Sequence, residues 1–154
     1  MMNFEYDIYC KDFEDLGLCE LYDIMALRSE VFVVEQNCPY LDPDGKDKYC
    51  DHLMIYDVNE EKLVAYARIV PPGKSYRGYA SIGRVVNSMK YRNTGLGKLL
   101  MANAIRLTKE YYPDKKIKIS AQTYLSDFYQ SFGFKKTGKE YLEDNIPHIA
   151  MVLD

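Results

Sequence analysis

An apolar, β-branched segment, Ala80 to Val86, leads into Tyr91-Arg92-Asn93-Thr94-Gly95-Leu96-Gly97-Lys98, and helical periodicity then runs to Tyr111. This succession of strand, glycine turn and helix constrains the chain more than any other feature. Two glycines two residues apart at a helix start let the backbone approach a ligand closely. The first-turn N–H groups and the helix dipole then favour an anion. The spacing is not that of the G-x-x-x-x-G-K-[ST] phosphate loop, because Leu99 follows Gly97-Lys98, nor of G-x-G-x-x-G, because residue 100 is Leu. A glycine-rich helix start with no ligand reads the same way, so the turn alone defines a candidate anion site and no more.

The surrounding periodicities predict the rest of the architecture. Phe4 to Tyr9 alternates as a strand, and Leu18 to about Val34 reads as a helix with Leu21, Met25 and Phe32 on one face. Arg28 lies on that same apolar face. Asn37 to Tyr49, with Pro39, Pro43 and Asp44-Gly45, reads as a loop. His52 to Asp57 and Lys62 to Val70 read as a hairpin around Asn59-Glu60-Glu61. Ala80 to Val86 is expected as a central strand. The helix Gly95 to Tyr111 carries a stripe of Leu96, Leu100, Leu107 and Tyr111. Lys116 to Gln122 is a strand, Tyr124 to Phe132 a short helix stopped by Gly133, and two strands flank Asp144-Asn145. This order predicts one α/β domain over residues 1–154, a sandwich built on a mixed sheet.

Composition narrows the function classes. A chain of 154 residues, 47% hydrophobic and 28% charged, builds one core without disulfides. No segment approaches the roughly 18 consecutive apolar residues of a membrane span, and Met1 to Leu18 lacks a basic region followed by an apolar run. A cytoplasmic protein with no membrane partner is therefore expected. Cys10, Cys19, Cys38 and Cys50 form no C-x-x-C pair and fit free thiols in a reducing compartment. No metal site is expected, since Cys50 with His52 is the nearest approach to a ligand cluster. Asp42-Pro43-Asp44-Gly45-Lys46-Asp47 fails as an EF-hand, because Gly45 at the sixth position puts Tyr40 at the first, and it reads as a turn. The net charge of −3 argues against nucleic acid as a partner. From Ser88 to Lys118, however, eight residues are basic and two acidic. Such an island suits a small polyanion, although a solvated helix face reads the same way.

The segment from Arg92 to Gly97 resembles the [QR]-x-x-G-x-[GA] block of the GNAT acyltransferases. Ala121-Gln122, Phe128-Tyr129 and Phe132-Gly133-Phe134 resemble that family's [NQ]-x6-Y-x3-GF block. A narrower group, the ElaA-like branch of predicted acyltransferases, is resembled by Leu27-Arg28-Ser29-Glu30-Val31-Phe32-Val33-Val34-Glu35-Gln36, Cys38-Pro39-Tyr40, Ala65-Tyr66-Ala67-Arg68, Ile82-Gly83-Arg84-Val85, Glu143-Asp144 and Ile146-Pro147-His148. Asn93 departs from this pattern where many relatives have Gly, and Asn87 where an apolar strand residue is usual. The resemblance implies an α/β/α sandwich around a mixed, mostly antiparallel central sheet. It also implies transfer of an acyl group from acetyl-CoA, the coenzyme A thioester, to an amine of a small molecule or peptide.

The same resemblance implies roles for individual residues. Arg92, Asn93, Thr94, Gly95, Leu96, Gly97 and Lys98 would hold the pyrophosphate of coenzyme A. Val85, Val86, Asn87 and Gln122 would hold the pantetheine arm. Tyr129 would be the general acid, since a phenol of unperturbed pKa about 10 suits a leaving thiolate of similar basicity; a core aromatic is the alternative. Glu143, His148 and Glu35 are the candidates near the acceptor cleft for the base, with a water relay as another route. Arg28, Phe32 and Glu35 are candidate acceptor contacts. A buried arginine needs a partner, so Arg28 either pairs internally, with Glu35 or Glu143, or meets an acceptor carboxylate. Two other readings stay open: a relative of the acyl-homoserine lactone synthases, suggested by the R-x3-F of Arg28 and Phe32, and a coenzyme A-binding regulatory module without turnover. The sequence does not specify the acceptor, and a monomer and a homodimer are both compatible with it.

Overall fold

A computed structural model describes residues 4–154. In chain order the elements are β1 (Tyr6–Asp12), α1 (Leu18–Arg28), β2 (Asp51–Asp57), β3 (Lys62–Val70), β4 (Ser81–Asn87), α2 (Leu96–Tyr111), β5 (Ile117–Gln122), α3 (Ser126–Gln130), β6 (Lys135–Glu143) and β7 (Ile146–Leu153). The expected hairpins and the helix after the glycine turn are all present. Among the described residues, no helix is long and apolar enough to cross a membrane.

The strands form two sheets, β1-β2-β3-β4 and β5-β7-β6, antiparallel throughout. Ala80 to Val86 was expected to be central, and β4 lies in the middle of the layer but at the edge of its own sheet. The contact between the two sheets is the parallel bridge Ala80–Ile117, where Ala80 N–H donates to the Lys116 carbonyl at 3.1 Å and Lys118 N–H donates to the Ala80 carbonyl at 2.9 Å. Beyond that bridge β4 and β5 are not paired, and a gap opens between Val85–Asn87 and Gln122.

Alternation along β2 and β3 sends successive side chains to opposite faces. Leu53, Ile55, Ala65 and Ala67 join the core beneath α2, whereas Met54 and Tyr66 join Ile24, Leu27 and Val31 beneath α1. The buried face of α2 is Leu96, Leu100, Met101, Ala104 and Thr108; Leu107 packs partly buried against the core, whereas the expected Tyr111 is exposed. Thr108 is tolerated there because its hydroxyl donates to the Ala104 carbonyl at 2.6 Å. The buried face of α1 is likewise rotated, to Ile24, Leu27 and Arg28, leaving Leu21 and Met25 at its margin.

The first helix also does not continue as one α-helix to Val34. Ser29–Glu35 winds as a π-helix, with Gln36 N–H donating to the Val31 carbonyl at 3.1 Å and Cys38 N–H to the Val33 carbonyl at 3.0 Å. π-helical windings are rare and frequently lie at functional sites. Here it carries Phe32 and Glu35 to the gap between the sheets.

Candidate active site

Two adjoining cavities fill that gap, of about 520 and 500 Å³. Phe32, Gln36, Val85, Gln122, Leu125 and Tyr129 line both, so they form the passage between them. The smaller cavity runs from the glycine turn to Tyr129. The larger continues past Tyr129 to the β6–β7 hairpin and the loop after the π-helix.

The smaller cavity gathers most of the residues assigned to coenzyme A. Val85, Val86 and Asn87 come from the end of β4, Arg92, Asn93, Gly95, Gly97 and Lys98 from the turn, and Gln122 and Tyr129 from across the gap. Two assigned residues do not reach it. The Thr94 hydroxyl folds back onto the Tyr91 carbonyl, and Leu96, 1% exposed, turns into the core. Gly95 precedes α2 with φ +87°, a left-handed conformation that glycine holds without a steric penalty.

Gly97 serves a different purpose. A Cβ at Gly97 would stand 3.1 Å from the Asn87 carboxamide. That carboxamide, oriented to satisfy both of its polar atoms, accepts from the Gly97 N–H at 3.1 Å and donates to the Val86 carbonyl at 3.1 Å. The first-turn N–H groups were expected to favour an anion; that of Gly97 is already bonded to Asn87 and is not open to one.

The basic island also needs correction, because it does not form one patch. Of its members only Arg92 and Lys98 line the cavity. Arg106 pairs with Glu110, Lys116 with Asp154, and Lys118 lies over the rings of Tyr76 and Tyr79. Arg92 donates through Nη2 to Glu35 at 2.7 Å and to the Asn87 carbonyl at 3.2 Å. Glu35 thus lines the smaller cavity rather than the acceptor side, whereas Phe32 lines both.

Tyr129 is 6% exposed and packs against Phe128 and Phe134, and its hydroxyl has no hydrogen-bond partner among the described residues. Burial, with Tyr124 nearby, pushes its phenol up to about 12. The proton therefore stays on the oxygen at neutral pH. Beyond it, His148 Nδ1 lies 2.7 Å from the Ile146 carbonyl, which can only accept, so Nδ1 carries the hydrogen. Nε2 is left as the basic nitrogen and lies 3.3 Å from Glu143 Oε2. Tyr141 stacks on the imidazole, with centroids 6.2 Å apart.

Arg28 lies elsewhere. It is fully buried and donates through Nε to Asp42 and through Nη1 to Asp47, both at 2.7 Å. Its expected partners Glu35 and Glu143 are not involved, and no acceptor can reach it. The loop read as a simple turn supplies the carboxylates of a six-residue network. Arg68 grips Asp44 at 2.6 and 2.8 Å and Asp47 at 3.0 Å, and Arg84 Nε lies 2.8 Å from Asp42. Burial alone would raise the Asp44 carboxyl, yet the Arg68 guanidinium holds it well below the usual carboxylate range. The signal for this network was a lone arginine in each of two apolar strands, facing a loop with three aspartates. Arg68, Arg84, Asp44 and Lys46 line the larger cavity, together with Tyr40, Ser75 and Tyr76.

With this geometry in place, the comparisons with known proteins agree. The acetyltransferase (GNAT) domain family matches residues 46–154, and the chain belongs to that family. A UPF0039 protein of Schizosaccharomyces pombe is 44% identical over 155 residues, covering 100% of this chain and 99% of that protein. Protein ElaA of Escherichia coli is 42% identical over 137 residues, 89% of each chain; its crystal structure superposes with a TM-score of 0.90, covering 97% of this chain and 100% of that one. An acyl-CoA N-acyltransferase from Pseudomonas aeruginosa has a TM-score of 0.90 at 42% identity, over 96% of this chain and 99% of that one.

Proposed function

We propose that the protein is a cytoplasmic N-acetyltransferase that moves the acetyl group of acetyl-CoA to a primary amine of a small molecule or peptide. The observation that carries this reading is the position of Tyr129 in the passage between two cavities, with a protonated, unpartnered phenol. The lining of the smaller cavity, with Asn87, Arg92, Gly95, Gly97 and Lys98, supports coenzyme A as its occupant. Lys98 offers an exposed ammonium with no carboxylate within 4.0 Å among the described residues. The four cysteines are free thiols, in keeping with a reducing compartment.

The chain's own groups supply the proton transfers. His148 Nε2 takes a proton from the incoming amine, and Glu143 steadies the imidazolium that results. The amine nitrogen bonds to the acyl carbon, the carbon–sulfur bond breaks, and Tyr129 gives its proton to the departing thiolate. Water returns the proton to Tyr129 and removes the one held by His148.

A thiol-release assay with acetyl-CoA across amino acids, dipeptides, polyamines and aminoglycosides tests the reading. The expected result is acceptor-dependent thiol release that is lost in Tyr129→Phe. Coenzyme A binding without thiol release from any amine would favour a binding module instead.

A further inference from the structure

Given acyl transfer at Tyr129, the reading on which this inference rests, the larger cavity carries its own chemical signature. Its charges do not cancel locally. In the network, three arginines meet three aspartates, which leaves Lys46 as a surplus cation on the same wall. Lys46 is half-buried, its Nζ reaches only Ser75 Oγ at 3.3 Å, and no carboxylate oxygen lies within 4.0 Å of it among the described residues. An ammonium lining the cavity with a single hydroxyl for company is free to pair with an anionic group of a ligand.

Arg84 stands on the same wall. Its Nε faces Asp42, and its Nη2 donates to the Asp42 carbonyl at 2.9 Å and to Asp44 at 3.4 Å. Its Nη1 makes no hydrogen bond to the described residues. The backbone of Arg84 is left-handed, with φ +49°, where the pairing of β3 with β4 shifts register between Tyr66 and Arg68. A long side chain in the middle of a strand rarely holds that conformation, and here it aims a guanidinium at the cleft.

The facing wall has the opposite sign. The β6–β7 hairpin brings Glu143 and Asp144 to the cavity beside His148, and the Asp144 carbonyl meets Cys38 Sγ of the loop at 3.5 Å. A ligand in this cleft meets acid on the side of the basic nitrogen and cation on the side of Lys46 and Arg84. A polyamine or aminoglycoside would place a positive charge against Lys46. An amine that also bears an anion would satisfy both walls.

We infer that the acceptor is an amine that carries a carboxylate, as an α-amino acid or short peptide does, and that Lys46, Arg84 and Ser75 form the carboxylate subsite. The amine then points to His148 and Tyr129. Specificity for the free acid over its amide follows, because the amide leaves Lys46 unmatched.

The test separates the subsite from turnover. Protein saturated with coenzyme A is titrated calorimetrically with N-acetylated amino acids and dipeptides, and with their C-terminal amides. The free acid should bind at least about tenfold more tightly than its amide. Lys46→Met should bring the two within about twofold while coenzyme A affinity is kept, and high salt should shrink the same ratio in the parent protein. The salt arm needs no variant, so a Lys46 substitution that fails to fold does not remove the test. Thiol release from the free amines should show the same order. Equal binding of acid and amide, a ratio that survives both Lys46→Met and salt, or tighter binding of a polyamine overturns the subsite, even if thiol release shows acyl transfer to be correct. A clear acid preference with no thiol release from any amine keeps the subsite and overturns acyl transfer.

Discussion

The Asn87 carboxamide accepts a hydrogen bond from the Gly97 N–H at 3.1 Å, tying the last residue of β4 to the first turn of α2. The two flanks of the smaller cavity are therefore one unit, and Gly97 is glycine because of its neighbour rather than its backbone angles. Gly97→Val should push the carboxamide aside and lower coenzyme A affinity by at least about tenfold, with a modest loss of stability. Gly95→Val acts on the backbone instead. At φ +87° it should cost about 1–3 kcal/mol of stability, read in urea unfolding. Unchanged coenzyme A affinity in folded Gly97→Val would move the cofactor cavity elsewhere.

Tyr129→Phe deletes one oxygen that bonds to no other described group and keeps the ring that packs on Phe128 and Phe134. Stability and acetyl-CoA binding should change little, and kcat should fall by about 10² or more. Turnover at the parent rate would return Tyr129 to a packing role.

His148→Ala should lower kcat by about 10² or more, and Glu143→Gln by less, since Glu143 acts on the imidazole and not on the acceptor. If Glu143→Gln is the more damaging of the two, the carboxylate is itself the base. The kcat values of the two variants, measured at one pH with the same acceptor, discriminate these outcomes.

Arg28→Met should destabilise the fold by about 3–5 kcal/mol, because Asp42 and Asp47 would lose a fully buried partner. Urea unfolding measures it. A loss below about 1 kcal/mol would show that water reaches the loop and replaces the guanidinium.

Stability should fall with acid in two stages. His52 is fully buried, accepting from the Tyr66 hydroxyl at 2.7 Å and donating to the Asp47 carbonyl at 2.8 Å; burial holds its imidazole below the ordinary 6.5. The unfolded chain takes up this proton first, so the contribution is full above pH 6.5 and is lost as pH falls through the lower folded value. The second stage comes from Asp44 and Asp47. Burial alone would raise both carboxyls, but the arginines hold them below 3.8, so their contribution is lost only below that pH. Urea midpoints at three pH values check this, and His52→Gln should flatten the first stage alone.

The strands and the glycine turn at the start of α2 were legible because their signals are local. Periodicity of two marks β5, apolar runs on either side of Asn59-Glu60-Glu61 mark β2 and β3, and two glycines before an amphipathic stripe mark the start of α2. Three features were not legible. The partners of Arg28 lie 14 and 19 residues away in a loop whose prolines and glycine read as a turn. The Arg92–Glu35 pair joins residues 57 apart, so each was assigned a separate task. The π winding of Ser29–Glu35 has the same apolar content as an α-helix, and only the tertiary contacts of Phe32 and Glu35 distinguish the two.

That π winding is an evolutionary hinge point written in chain length. A π turn differs from an α turn by one extra residue spread over the same span, so a one-residue deletion among positions 29–35 could be absorbed as ordinary helix without breaking the fold. Every side chain beyond the deletion would swing around the axis, and Glu35 would lose its reach to Arg92. Related chains that keep the sheets but differ by one residue here would present a different wall to both cavities. Counting residues between Arg28 and Asn37 is thus a way to sort such chains by cleft geometry before any site residue is compared.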